Sequence, residues 1–477
     1  MSERVKQLGR LQDRYSLWLF LGTFVVFVIT ANRLDINVIN DTLFVARPAW
    51  TLATQGSLNL ENLPAFSGTS WTFLFDGHQR TDRFPGAILF TVPFSFVIRT
   101  GTFSLISSGV AAAVACAGAV TLMHRVLLTL VSKKTALGAA LVLAFGTSVW
   151  SVASDAIWTE GPTMLALGLS MWALTQQRWF LAGAGYAFAI LCRPHTAVFA
   201  LVAGVWESRQ RRSWLPMIKV GAVSAVGFAG LLVWNKVNSG QWDIFPGTYG
   251  GRIASATNTN PGGQATSFEW TNDLITTFFS PLRGVFVYSP FLLLVLPGLR
   301  RAWKVAPTWV RSSAIGGVVY LVVQLAGNSW IGGPIFGYRL ILPSLFAWWP
   351  LLVLAYQQWT VRRAWSRITF YVLALVSIWW FAQGALVFPV EYFYTNPLDY
   401  VYWRSWNVPL FARFAGVSGW IFGLAAAAAV AGAVYVTNDP EPVSVTKPST
   451  KQPNKKQPQK KQPHKKQGKK SQSKKSG

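Results

Sequence analysis

The chain has 477 residues, of which 52% are hydrophobic and only 13% charged, and it carries a formal net charge of +26. Soluble domains carry about 25% charged residues, so this composition excludes an ordinary soluble protein. The positive charge does not point to nucleic acid: lysines accumulate after Lys447, no acidic residue follows Glu441, and the other cations mark the ends of apolar runs.

In chain order, the basic segment MSERVKQLGRLQDRYS leads into the apolar run SLWLFLGTFVVFVIT and then directly into NRLD. No small-residue cleavage site intervenes, so the run is expected to stay as a helix behind a cytoplasmic N-terminus of about 15 residues. Lys/Arg asymmetry then orients the remaining spans. Apolar runs predict transmembrane helices at about residues 16–33, 103–128, 135–153, 161–177, 180–192, 195–207, 215–237, 285–300, 312–328, 338–357, 367–388 and 412–436. The fifth and sixth are short, in the manner of a half-buried helical hairpin. The even number places both termini in the cytoplasm and makes the chain an all-α polytopic protein of the plasma (inner) membrane. Cys116 and Cys192 lie inside apolar runs, which argues against a disulfide framework or metal cluster.

Three extracytoplasmic loops are predicted, at about residues 32–102, 238–281 and 388–411. The first contains GAILFTVPFSFVI, too short to cross and expected to lie at the interface as an amphipathic helix. The third, with EYFYTNPLDYVYWRSW, has the aromatic density of an interfacial belt. The tail from about residue 437 to 477 repeats Lys, Gln and Pro without an apolar residue over KKQPQKKQPHKKQGKK. It cannot bury a core and is expected to be a disordered tether to the anionic cytoplasmic leaflet, in preference to a dock for RNA or another partner.

Ionisable groups near membrane depth are costly and therefore candidates for function. Asp41, in INDTLFVARPAWTLATQG with Asp35 just before it, either caps a short helix broken near Pro48 or serves as a general base at the membrane surface. In TDRFPG, Asp82 and Arg83 form either a surface turn or a phosphate contact at headgroup level. In SDAIWTEGPT, Asp155 and Glu160 flank Trp158; Glu160 suits a helix N-terminus, which leaves Asp155 unexplained. In CRPHT, Arg193 and His195 interrupt an apolar hairpin, and a lipid-linked phosphate is a natural partner for that arginine. There is no P-loop, GxGxxG turn, HExxH or GxSxG elbow, so nothing suggests an ATPase, protease or nicotinamide enzyme.

These points together resemble the GT-C superfamily of polytopic glycosyltransferases, in particular bacterial relatives of protein O-mannosyltransferase and other polyprenyl-phosphate-sugar-dependent enzymes, over the chain up to about residue 436. The resemblance rests on Asp41 soon after helix one, followed by Gly56; on RFPGAILFTVP; on Asp155 and Glu160 between helices three and four; and on SPLRGVFVYSP and GNSWIGGPIFGYRLILP. It implies a GT-C-like bundle of about 11–12 spans with interfacial helices in its first loop. It also implies transfer of a sugar, mannosyl- or arabinosyl-like, from a polyprenyl-phosphate donor to a glycan, lipid or protein hydroxyl. Asp41 would deprotonate the acceptor; Arg83, Arg193 or Arg339 would hold the leaving phosphate. His195, Trp158, Trp330 and Tyr338 would contact sugar or acceptor, with Trp242 and the tyrosines of about residues 392–402 as further stacking surfaces. The family pattern usually has a second acid beside the first. Thr42 stands there in this chain, which leaves the Mg2+ or Mn2+ dependence of such enzymes open. A lipid-linked glycan flippase would instead carry polar groups near mid-membrane in two repeated halves, which the sequence lacks. A polysaccharide polymerase or ligase would share the helix count and work with arginine and histidine in large outer loops, and a non-catalytic membrane scaffold would need no such residues.

Overall fold

The computed structural model describes residues 3–31, 40–61, 63, 72–245, 270–281, 283–327 and 335–386. The predicted span 412–436, the third loop, the basic tail, Asp35, Trp330 and the tyrosines of residues 392–402 lie outside the described residues.

The described chain is almost entirely helical. In order, the helices are α1 Glu3–Thr30, α2 Asn40–Gln55, α3 Pro85–Val97, α4 Ile106–Leu127, α5 Lys133–Phe145, α6 Glu160–Thr175, α7 Trp179–Cys192, α8 Ala197–Arg211 and α9 Leu215–Ser239. Then follow α10 Trp270–Phe279, α11 Val285–Tyr288, α12 Leu299–Val305, α13 Thr308–Gly327, α14 Leu342–Gln358 and α15 Ala364–Leu386. Among the described residues, four helices are long and apolar enough to cross a membrane: α4, α9, α13 and α15. Alanine-rich α4 buries its small residues against α1 and α6, the close packing that spans use where lipid gives no hydrophobic drive. The outer face of α9 exposes Leu215, Ile218, Val226, Val233 and Val237, as a lipid-facing helix must. These features make the protein a polytopic membrane protein.

Several expected spans are broken. The run at 285–300 is not one helix. Pro290 and Pro297 lack the N–H that a continuous helix needs, and the chain passes through short 3-10 turns at Pro290–Leu294 and Leu296–Gly298. The span expected at 135–153 stops at Phe145 and resumes as a π-helical turn, Val149–Ala153. Conversely, the break expected in α2 near Pro48 does not occur. Pro48 cannot donate to the carbonyl of Phe44, and the Thr81 hydroxyl donates to that oxygen instead at 3.0 Å.

The first loop holds more than helices. Strands β1 Thr72–Phe75 and β2 His78–Thr81 pair antiparallel across Asp76-Gly77, whose φ values of +52° and +75° are those a two-residue type I′ hairpin needs. Helix α3 occupies the predicted interfacial stretch, but its polarity is reversed from the amphipathic expectation. Thr91 and Ser95 are buried, while Leu89, Phe96 and Val97 are exposed, so its outer face suits lipid tails.

Gly86, in the first turn of α3, meets the end of α7. A Cβ there would lie 2.4 Å from the backbone nitrogen of Cys192 and 2.5 Å from its sulfur. That contact brings Arg83 and Arg193, each close by in sequence, to one end of the bundle. Gly86→Ala is therefore expected to push the two helices apart and cost about 1–3 kcal/mol, as overpacking does. Thermal unfolding in detergent would measure it.

Candidate functional site

The site forms where five separate parts of the chain end. Asp41 lies in the first turn of α2, where the helix dipole favours a carboxylate. Arg83 follows the hairpin, which is tied down on both sides. The Thr81 carbonyl accepts from Asn238 at 2.7 Å, and the Thr81 hydroxyl accepts from the Arg83 amide at 3.2 Å. Glu160 opens α6, and Arg193 closes α7. Arg339 precedes α14 on a segment that is bound to the π-helical turn. Ser151 Oγ donates to the Phe336 carbonyl at 2.8 Å, the Tyr338 amide donates to Ser148 Oγ at 3.0 Å, and Gly337 makes the turn at φ +97°. The buried Arg283 guanidinium also donates to the Ile335 carbonyl.

These ends meet in an alternating chain of charges. Arg83 Nη2 is 2.5 Å from Asp41 Oδ1, and Arg339 Nη1 is 2.8 Å from Asp41 Oδ2. Arg339 Nε then reaches Glu160 Oε1 at 3.0 Å, and Arg193 Nη2 reaches the same oxygen at 3.1 Å. Arg193 Nη1 donates onward to the Tyr320 hydroxyl at 2.9 Å. Asp82 sits 3.6 Å from Arg83 Nε, so acids and arginines balance in number. The Glu160 side chain is fully buried, whereas that of Asp41 is 20% exposed. Asp41 is thus the acid that an incoming molecule can reach. Burial raises the pKa of its carboxyl, but Arg83, Arg339 and, farther off, Arg193 together outweigh burial and hold it at about 2.

The structure sorts the expected residues. It joins Asp41, Glu160, Arg83, Arg193 and Arg339 in one network and keeps Asp82 at its edge. Asp155 is buried in the connection before α6. Trp158 is 3% exposed and carries the Arg339 guanidinium 4.2 Å above its ring, so that face supports a cation rather than a sugar. Tyr338, another expected sugar contact, is buried; Ser289 Oγ donates to the Gly146 carbonyl at 2.9 Å and takes the Tyr338 hydroxyl at 2.8 Å. That tyrosine anchors the segment bearing Arg339. His195 Nε2 lies 3.1 Å from the Tyr320 hydroxyl, with its ring stacked on that of Tyr320. Trp242 is 66% exposed. Sequence reasoning missed Tyr320 and Arg283. A tyrosine in an apolar helix gives no signal, while Arg283 lies inside SPLRGVFVYSP, where its charge beside an apolar run is the one available cue.

No protein-family model matches the sequence, and no curated protein does. Solved structures do. The crystal structure of ArnT from Cupriavidus metallidurans bound to undecaprenyl phosphate matches over 88% of this chain and 76% of its own, with a TM-score of 0.52 at 15% identity. The apo crystal structure of the same protein matches over 91% and 76%, with a TM-score of 0.51 at 14% identity. The fold is a GT-C fold. At such identity the likeness fixes the architecture, and the chemistry has to be read from the side chains.

In this GT-C bundle the acids do not suit a divalent cation. Both Asp41 oxygens and Oε1 of Glu160 are taken by guanidinium groups, and three arginines in contact with two carboxylates oppose a further cation. Among the described residues, no group of three or more His, Cys, Asp or Glu side chains converges.

Glu160 and Asp41 should behave differently when removed. Glu160→Ala leaves Arg193 and Arg339 buried without their shared carboxylate and is expected to destabilise by on the order of 3–5 kcal/mol. Asp41→Ala, at a partly exposed position, should cost clearly less. Unfolding curves of the two variants in the same detergent make the comparison.

Proposed function

We propose that the protein is a membrane glycosyltransferase that moves a sugar from a polyprenyl-phosphate donor to an acceptor hydroxyl at the extracytoplasmic face, with Asp41 as general base. The observation that carries this reading is the clamp of Arg83 and Arg339 on the two oxygens of one accessible carboxylate. Two guanidinium groups set to bind an anion through two oxygens suit a phosphate equally well. Support also comes from the fold, since ArnT of this architecture was crystallised with undecaprenyl phosphate. The cationic ends of the spans support placing the site outside.

In the reaction the acceptor oxygen attacks the anomeric carbon and gives its proton to Asp41. The bond from that carbon to the phosphate oxygen breaks, and its electron pair leaves with the polyprenyl phosphate. One displacement inverts the anomeric centre. Arg83 and Arg339 hold the phosphate as its charge grows, the preorganised stabilisation that contributes most in such sites. Arg193, fixed by Glu160 and Tyr320, backs them. A glycan, lipid or protein hydroxyl meets the same requirement.

Asp41 clamped by two arginines is too weak a base for neutral pH, because an effective base has a pKa near the working pH. The charge-balanced site resolves this. An arriving phosphate must take its cations from Asp41, and the carboxylate left behind is then dominated by burial, which raises its pKa.

Asp41→Asn should lower kcat by roughly 10²–10⁴-fold, the usual share of a general base, without lowering the amount of inserted protein. Transfer from a radiolabelled polyprenyl-phosphate sugar in membranes reads it, and wild-type activity in that variant would remove Asp41 from the mechanism. The pH profiles give a second check. The acid limb of kcat/KM reports the free enzyme, where Asp41 is held at about 2, and so should stay flat down to about pH 4. The limb of kcat reports the donor complex and should appear at distinctly higher pH.

A further inference from the structure

Trp158 sits on the connection between the π-helical turn and α6, and its ring packs with Val152 of that turn, Ala156 of the connection and Ile335 of the segment that carries Arg339. Its backbone amide donates to the Ala156 carbonyl at 2.8 Å, a tight turn that fixes where the side chain leaves the chain. The Arg339 guanidinium lies 4.2 Å from the ring centre. The same guanidinium contacts Asp41 and Glu160, and Glu160 follows Trp158 by two residues. The indole is therefore a direct neighbour of the charge network.

Packing accounts for the ring but not for its nitrogen. The side chain is 3% exposed, Nε1 is closed to solvent, and among the described residues nothing accepts from it. Buried indole N–H groups normally find a partner, because a donor taken out of water with no acceptor loses a hydrogen bond without replacement. Two other buried tryptophans obey this. Trp150 Nε1 donates to Thr30 Oγ1 at 2.9 Å, and Trp349 Nε1 donates to the Ala139 carbonyl at 3.2 Å. Trp50, Trp206 and Trp234 also leave the indole nitrogen unpartnered, but those side chains are only half-buried.

An indole N–H can only donate, so whatever completes it is an acceptor. Three arginines already supply the cations of the network, balanced by its acids. A neutral donor adds a hydrogen bond to an incoming anion without a further desolvated charge. An anion that engages Arg339 comes against the guanidinium that the indole borders. A phosphate monoester also has one more non-bridging oxygen than the two that a pair of arginines engages.

We propose that Trp158 is a third contact of the donor phosphate, its Nε1–H donating to the oxygen that Arg83 and Arg339 leave free. The contact rests on the phosphate site of the proposed glycosyltransferase. Trp158 then serves that site twice, with its face under Arg339 and its edge on the ligand.

The test measures binding of undecaprenyl phosphate to the full chain in nanodiscs, with undecaprenol as the phosphate-free control. Amber suppression at position 158 with 3-benzothienylalanine keeps the fused ring and exchanges the N–H for sulfur. This replacement should weaken undecaprenyl phosphate by about tenfold or more, the share of one hydrogen bond to a charged group, and leave undecaprenol unchanged. Trp158→Phe should lose at least as much; if it does not fold, the isosteric replacement still decides. In the wild-type chain with 15N-labelled tryptophan, the Trp158 indole resonance, assigned by its absence from the replaced chain, should move downfield at saturating undecaprenyl phosphate. A contact that serves packing alone would leave it in place. With wild-type binding intact, an isosteric variant of equal affinity or an unmoved resonance overturns the contact and leaves the Arg83–Arg339 site standing. A resonance that moves only with the sugar-loaded donor overturns it as well, by giving the N–H to the sugar. Wild-type protein that binds undecaprenyl phosphate no better than undecaprenol overturns both the contact and the phosphate site.

Discussion

The carboxylate of Glu160 sits fully buried at the start of α6 and pairs with both Arg193 and Arg339. Without it, two guanidinium groups from distant parts of the chain could not lie side by side at membrane depth, because each would be a desolvated cation facing another. With it, Arg339 is free to turn its other nitrogen toward Asp41, and Arg193 to reach Tyr320. The arrangement of α6, α7 and the segment before α14 around one end of the bundle depends on this single carboxylate. The helix breaks serve the same arrangement. The π-helical turn after α5 presents Ser151, and Ser148 just before it, to the stretch of chain that carries Arg339, and the broken segment after α11 presents Ser289 to Tyr338.

The two acids of the network are therefore not equivalent. Glu160 is enclosed and holds Arg193 and Arg339 in place; Asp41 pairs with Arg83 and Arg339 and is partly open. A site whose charges already balance does not attract a phosphate by net charge. On the proposed mechanism it exchanges one acceptor for another, and the exchange changes the chemistry of the carboxylate that is displaced. On that mechanism, the coupling makes Asp41 competent as a base only when a donor is bound.

Much of this is legible in the sequence, for a physical reason. In a chain with few ionisable residues, every acid or arginine beside an apolar run marks a cost that must be met somewhere, so Asp41, Arg83, Glu160, Arg193 and Arg339 stand out one by one. Their pairing is not legible. Asp41 and Arg339 are 298 positions apart, and only the packing of helices decides which arginine meets which acid. Trp158 and Tyr338 differ from their expected roles for a related reason: aromatics near a membrane surface have the same sequence signature whether they stack on sugars, carry a cation or anchor a loop. Local geometry is readable in two further places. Asp76-Gly77 between short alternating runs is a hairpin signal, and Pro290 followed by Pro297 argues against one continuous helix, but neither enters the expected spans.

In the proposed mechanism, the exchange of arginines between Asp41 and a lipid phosphate is the step on which the chemistry turns. The direct measurement is the pH titration of the Asp41 carboxyl carbon by 13C NMR, assigned by its loss in Asp41→Asn, with and without undecaprenyl phosphate. The expected result is no titration between pH 7 and about pH 4 in the free protein, and a midpoint raised into or above that range once the lipid phosphate is bound. An unchanged titration curve in the presence of saturating lipid phosphate would contradict the exchange.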